Sequence, residues 1–157
     1  MASPLHHATI AWRREADDAE FAKGRYSRRH SWRFDGGVEI AASASPHVVP
    51  KAFAGEDAVD PEEAFIAALS ACHMLTFLDL ARRAGFTVDS YEDAAEGELE
   101  KTEAGTYRMA RVRLHPRIAF AGKSPDASAL DRLHEAAHAQ CFIANSVTSE
   151  VLVEAPQ

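Results

Sequence analysis

Cysteine is scarce in this chain, two residues in 157, which excludes the multi-disulfide frameworks that small secreted domains use in place of a core. Basic charge is in deficit: 17 Lys and Arg against 24 Asp and Glu give a formal net charge of −7. The counterion-displacing face that nucleic acid binding requires is therefore not expected. The first residues, Met1-Ala-Ser-Pro-Leu-His-His, lack the basic-then-apolar order of a secretory leader, and no apolar run is read as long enough to span a membrane. These absences lead to the expectation of a cytoplasmic protein without nucleic acid or membrane partners. Also missing are a Cys-x-x-Cys clasp, a phosphate-loop setting for Gly36-Gly37, and a nucleophile elbow around Ser70 or Ser146, so no nucleotide cofactor is implied.

What is present fits one domain over residues 1–157, with 46% hydrophobic residues to build a core. Residues 8–13, 30–34 and 38–41 read as strands, with Asp35-Gly36-Gly37 as the hairpin turn between the last two. A loop rich in small residues and proline follows from Ser43 to Val59. Asp60-Pro61-Glu62-Glu63 then reads as a helix start, with Asp60 as N-cap, proline at the first helical position and Glu63 closing a capping box. The helix should run through Ala84 and stop at Gly85. Its middle, from Ala64 to Leu75, is apolar almost all round. That pattern predicts a central helix buried by sheet on one side and by a second subunit on the other. Strands are expected over 87–99 and 106–120. In the second, Val112, Leu114, Ile118 and Phe120 alternate with Arg111, Arg113, Arg117 and Ala119, one face core and the other basic. A second helix should begin near Ser124-Pro125-Asp126 and end about Phe142, with a last strand over 147–153, giving an α+β fold.

Cys72 falls in the middle of the first helix and Cys141 near the end of the second. In a reducing compartment such a pair is a set of buried packing residues, of metal ligands or of transient redox partners. Asp60-Pro61-Glu62-Glu63 leading into Ala68-Leu69-Ser70-Ala71-Cys72-His73, with Cys141 at the second helix, resembles the OsmC/Ohr family of thiol-dependent peroxidases. Tyr26-Ser27-Arg28-Arg29-His30-Ser31-Trp32-Arg33-Phe34-Asp35-Gly36-Gly37 resembles its OsmC-like branch, and the likeness runs from the first strand to Val153. The resemblance implies antiparallel sheets packed on the long helix and an intertwined homodimer with two interfacial sites. It further implies reduction of organic hydroperoxides, with hydrogen peroxide a further candidate. Cys72 would attack, Cys141 would resolve the sulfenic acid as a disulfide, and Arg28 with Glu62 would tune the first thiol. No bound cofactor is implied, only an external reductant such as dihydrolipoamide or a lipoylated protein.

Physical chemistry bears on each role. Peroxide attack needs a thiolate, and a mid-helix apolar cysteine draws little from the helix dipole, so Cys72 needs a nearby cation. Arg28 is the candidate because a guanidinium fork serves a thiolate or peroxide oxygen and a carboxylate together, with Arg25 and Arg29 as rivals. Around the helix, Glu62 lies about 80° from Cys72 and Glu63 about 180°, so Glu62 is the better site residue. Glu62 is nevertheless about 15 Å from Cys72 along the axis, which leads to the expectation that it reaches the arginine across subunits or through loop movement.

Competing chemistry comes from His134, His138 and Cys141, spaced i, i+4 and i+7 on one helix face; with Cys72 or His73 they could form a zinc site. His73 points about 100° from Cys72, so proton transfer between the two is not assured and it is left out of the catalytic set. Trp32, Phe53, Phe65 and Phe142 are candidates for the walls of a pocket for an organic peroxide. The alternative function is a noncatalytic protein that binds a small ligand, or zinc, in the same cavity.

Overall fold

A computed structural model describes residues 3–154, so Met1 and Ala2 of the segment read as lacking a leader, and the C-terminal end of the 1–157 domain, lie outside it. The chain divides into two compact units, the first up to Ala64 and the second from Phe65.

In the first unit, β1 (Ala8–Ala11), β2 (His30–Phe34) and β3 (Glu39–Ala42) form an antiparallel sheet in the order β1-β2-β3. Asp35-Gly36-Gly37 makes the expected turn: Gly37 takes φ +83°, and the Gly37 N–H donates to the Phe34 carbonyl at 3.0 Å. A short helix, α1 (Asp18–Ala22), was not expected from the sequence. Asp17 caps it by accepting from the Glu20 N–H at 2.8 Å.

Helix α2 (Pro61–Arg83) begins and ends as its sequence dictates. Asp60 and Glu63 cap reciprocally, at 2.8 Å from the Glu63 N–H to the Asp60 carboxylate and 3.2 Å in return. At the other end Gly85 sits at φ +84°, with Phe86 N–H on the Ala81 carbonyl at 2.9 Å and Gly85 N–H on the Arg82 carbonyl at 3.1 Å. This is the double hydrogen bond of a left-handed helix stop. Within the chain α2 buries one stripe, Leu69, His73, Phe77 and Ala81, while Ala67, Ala68, Ala71 and Leu75 are exposed. By length and composition alone α2 is apolar enough to cross a membrane, against the expectation from the sequence. The reason is the run from Ala64 to Leu78, which carries no charge. Its polar groups find partners in the protein: Ser70 donates to Asp93, His73 bonds His134, and Thr76 donates to the Cys72 carbonyl.

The second unit corrects two expected strands. Residues 87–99 split into β4 (Thr87–Asp93) and β5 (Glu96–Lys101), and 106–120 split into β6 (Tyr107–Leu114) and β7 (Pro116–Ala121). β4 pairs β7 antiparallel, and β5 pairs β6 antiparallel, so both long segments change sheet near one level, Asp93 opposite Pro116 and Glu96 opposite Arg113. Pro116 has no N–H to continue the ladder of β6. The last strand, β8 (Glu150–Val153), lies parallel to β6. The helix α3 (Ala127–Gln140) is capped by Asp126, whose carboxylate accepts from the Ala129 N–H at 2.7 Å.

Two apolar clusters flank the middle of α2. Leu69, Val112 and Leu114 pack with β8 side chains on one side; Phe77, Ala81 and Ala137 pack with Phe86, Ile118 and Phe120 on the other. Opposite Val112 and Leu114, Arg111 pairs with Glu98 and Glu150 and Arg113 with Glu98 and Glu154. Gly97 in β5 permits this packing, since a Cβ there would stand 2.7 Å from the Met109 sulfur and 2.8 Å from Ile66 Cγ1.

Candidate functional site

The alternation of the two clusters along α2 leaves Cys72 and His73 between them. Both cysteines are free, Cys72 half-buried and Cys141 fully buried. Cys141 directly follows α3 and is held by the turn after it: the Ala144 N–H donates to its sulfur at 3.4 Å, and the Asn145 side chain donates to its carbonyl at 3.0 Å. Burial pushes the Cys141 thiol above its ordinary range, the Ala144 N–H opposes this, and the neighbouring Cys72 thiol pushes it higher. The structure thus brings together the two thiols that the sequence separates by almost half its length, a half-exposed one backed by a buried, protonated one.

Beside them lies a polar pair that sequence reading missed. His73 Nε2 and His134 Nδ1 are 3.1 Å apart, with the rings nearly parallel and Phe77 stacked on His134 at 4.6 Å. Burial above all, then the neighbouring His134 and His138, pushes His73 down to about 4, against the pull of Asp93. Burial lowers His134 as well, against Asp131 and Asp93. Both rings are therefore neutral near pH 7, one nitrogen donating and the other accepting. Asp93, at the end of β4, accepts from Ser70 and from the His115 N–H. His134 Nδ1 is thus engaged with His73, His138 is exposed, and among the described residues no group of three or more His, Cys, Asp or Glu side chains is arranged to hold a metal ion. The spacing i, i+4, i+7 alone could not reveal that His134 turns its nitrogen to another helix.

In the first unit, the three rival arginines separate clearly. Arg25 pairs with Glu20 and Arg29 with Asp57, both at the surface. The Arg29 guanidinium beside Asp57 holds that carboxyl below the usual range. Arg28 has no carboxylate partner among the described residues. It donates to the carbonyls of Gly24 at 2.8 Å and Tyr26 at 2.6 Å, and lies 3.6 Å above the Tyr26 ring. Its own carbonyl is engaged by His30 Nδ1 at 2.7 Å, and His30 Nε2 accepts from Trp32 at 2.9 Å, so Nδ1 carries the donated hydrogen. Arg28 borders an apolar cleft of about 390 Å³ with Ile10, Trp12, Phe21 and Tyr26. Glu62 is half-buried and makes no ion pair among the described residues, so the Arg28–Glu62 pair is not formed within the chain.

Of the four expected aromatic walls, Phe142 is 82% exposed, Phe65 packs on the Leu69 cluster, Trp32 orients His30, and the Phe53 ring centroid lies 5.9 Å from the Arg28 guanidinium. The aromatic residues that line the cleft, Trp12, Phe21 and Tyr26, pack on one another in tilted and edge-on pairs with ring centroids 4.6 to 6.0 Å apart. They converge through α1, whose five residues left no periodic signal.

An α+β fold that brings two free thiols together defines a dithiol protein as a class. A family model described as OsmC-like protein matches residues 54–155, and the chain belongs to that family. The peroxiredoxin OsmC of Escherichia coli K12 is 30% identical over 102 residues, 65% of this chain and 69% of that protein. An OsmC-like protein of unknown function from Vibrio cholerae is 48% identical and superposes with a TM-score of 0.92 over 98% of this chain and all of its own. The organic hydroperoxide resistance protein OhrB of Bacillus subtilis, 20% identical with a TM-score of 0.70 over 97% of this chain and 98% of its own, shares the fold. Two of these three relatives carry peroxide-related names.

Proposed function

We propose that the chain is a homodimeric, thiol-dependent reductase of organic hydroperoxides. The observation that carries this reading is the proximity of a half-buried Cys72 to a buried Cys141, both free. In the first step the Cys72 thiolate attacks one peroxide oxygen, the O–O bond breaks, and the alcohol leaves with a proton while Cys72 becomes a sulfenic acid. Cys141 then attacks that sulfur; an S–S bond forms and the hydroxyl departs with the Cys141 proton as water. An external dithiol, dihydrolipoamide or a lipoylated protein, restores both thiols by exchange. Arg28 is favoured as the stabilising cation because its charge is held by carbonyls and an aromatic face while Arg25 and Arg29 are spent on surface carboxylates. Glu62 is left to orient it from the second subunit, in keeping with the absence of that pair within one chain, and the exposed apolar face of α2 suits a partner subunit. A cytoplasmic location fits two thiols kept free.

Thiol counting tests this. One equivalent of cumene hydroperoxide should consume both thiols of the reduced protein, and Cys72→Ser should leave the remaining thiol intact. Slow, incomplete loss that is indifferent to Cys72→Ser would instead favour a noncatalytic binding protein.

A further inference from the structure

The bond between His73 and His134 has no part in the chemistry above, yet it joins the two helices that deliver the thiols. Among the described residues it is the one side-chain hydrogen bond between α2 and α3. His73 directly follows Cys72, and His134 precedes Cys141 by seven residues, about 10 Å along α3. Two helices touching at one point can pivot about it; a second directional contact about two turns away removes that freedom. The packing of Phe77, Ala81 and Ala137 around the pair is dense but nondirectional, whereas an N–H···N bond has a preferred length and angle. Both rings are buried, at 1% and 4% exposure, and their outer nitrogens, His73 Nδ1 and His134 Nε2, have no protein partner. Leucines would fill this space without leaving such atoms, so filling space does not account for histidine at both positions.

We propose that His73 and His134 are positioning residues that set α2 against α3 so that the Cys72 and Cys141 sulfurs stand within bonding distance. The inference rests on the proposed function only in that the two thiols form a disulfide, and its test needs no peroxide. Diamide, an azo dicarboxamide, serves as oxidant. One thiolate adds to an azo nitrogen in a bimolecular step. The second thiol then displaces the adduct, forming the S–S bond, and the two electrons and two protons end on the hydrazide.

Rapid-quench mass spectrometry of the full chain separates the two steps. His73→Leu and His134→Leu should slow closure by about ten- to hundredfold, the cost of a displacement of about 1 Å, and leave the addition step unchanged. His73→Gln and His134→Asn, which return a hydrogen-bonding atom near Nε2 and Nδ1, should recover most of the closure rate. The double leucine variant closing at the wild-type rate, or the amide variants closing no faster than leucine, would overturn the proposal. Should the leucine variants fail to fold, His73→Gln is compared with the shorter His73→Asn, and equal closure rates would overturn it as well. Failure of the peroxidase reading would show separately, as a wild-type chain that closes with diamide and ignores hydroperoxides.

Discussion

Cys72 stands within α2 and Cys141 directly after α3, beside side chains that lose all their exposure, whereas Arg28 stands in the segment between α1 and β2, held by carbonyls of its own loop. The thiols are thus located by long-range packing and the Arg28 guanidinium by local hydrogen bonds. Changes around the thiols should cost stability and chemistry together, and changes around Arg28 should cost chemistry alone.

The largest effect expected is that of Cys72→Ser, which removes the attacking atom and should abolish hydroperoxide turnover. Cys141→Ser should permit one oxidation and then stall with a sulfenic acid, read by dimedone labelling. Next in size, Phe77→Ala should destabilise by about 3–5 kcal/mol, because Phe77 is fully buried against Ala81 and Ala137; a midpoint of thermal unfolding unchanged within error would break the comparison on the thiol side. Arg28→Ala should reduce the oxidation rate by about a hundredfold, the loss of one preorganised charged donor, with little change in the thermal midpoint. Arg25→Ala and Arg29→Ala lose only exposed ion pairs, worth about 0–1 kcal/mol, and should retain the rate. If Arg29→Ala proves the slow variant, the assignment moves with it.

The histidine pair sharpens the comparison through pH. His73 is lowered in the folded chain to about 4 from 6.5, so between those values the unfolded chain binds the proton and the folded chain does not. Stability therefore rises with pH across this window, is fully present above about 6.5, and is lost as pH falls toward 4. His73→Gln should flatten that slope in chemical unfolding series at stepped pH. Gly97→Ala should touch stability alone, costing about 1–3 kcal/mol through the crowding of Met109 and Ile66, with the oxidation rate retained.

The same division explains what could be read in advance. α2 was legible to within a residue because Asp60, Pro61, Glu63 and Gly85 each carry a local conformational preference. The α+β class and the family were legible because the motif around Cys72 is contiguous. The breaks at Ala94-Ala95 and His115 were not, since alternation of period two continues through a strand that merely changes sheet; Pro116 was the available signal. The His73–His134 bond spans 61 positions and follows only from how α3 docks. That Arg25 and Arg29 are ion-paired depends on where Glu20 and Asp57 lie, which adjacency in sequence does not encode.

A mixed-dimer experiment tests the expected cross-subunit role of Glu62. The isolated heterodimer of one Cys72→Ser and one Glu62→Ala chain should regain about half the activity of the parent dimer if Glu62 serves the partner's site, since one of its two sites is intact, and recovery above neither single variant would place it within its own chain.

The central claim is that Cys72 is oxidised first and captured by Cys141. Peptide mass spectrometry after one equivalent of an organic hydroperoxide tests it most directly: the account predicts a Cys72–Cys141 linked peptide in the wild type and a dimedone adduct on Cys72 in Cys141→Ser. An adduct on Cys141 in the wild type, or two thiols left reduced beside unreacted peroxide, would contradict it.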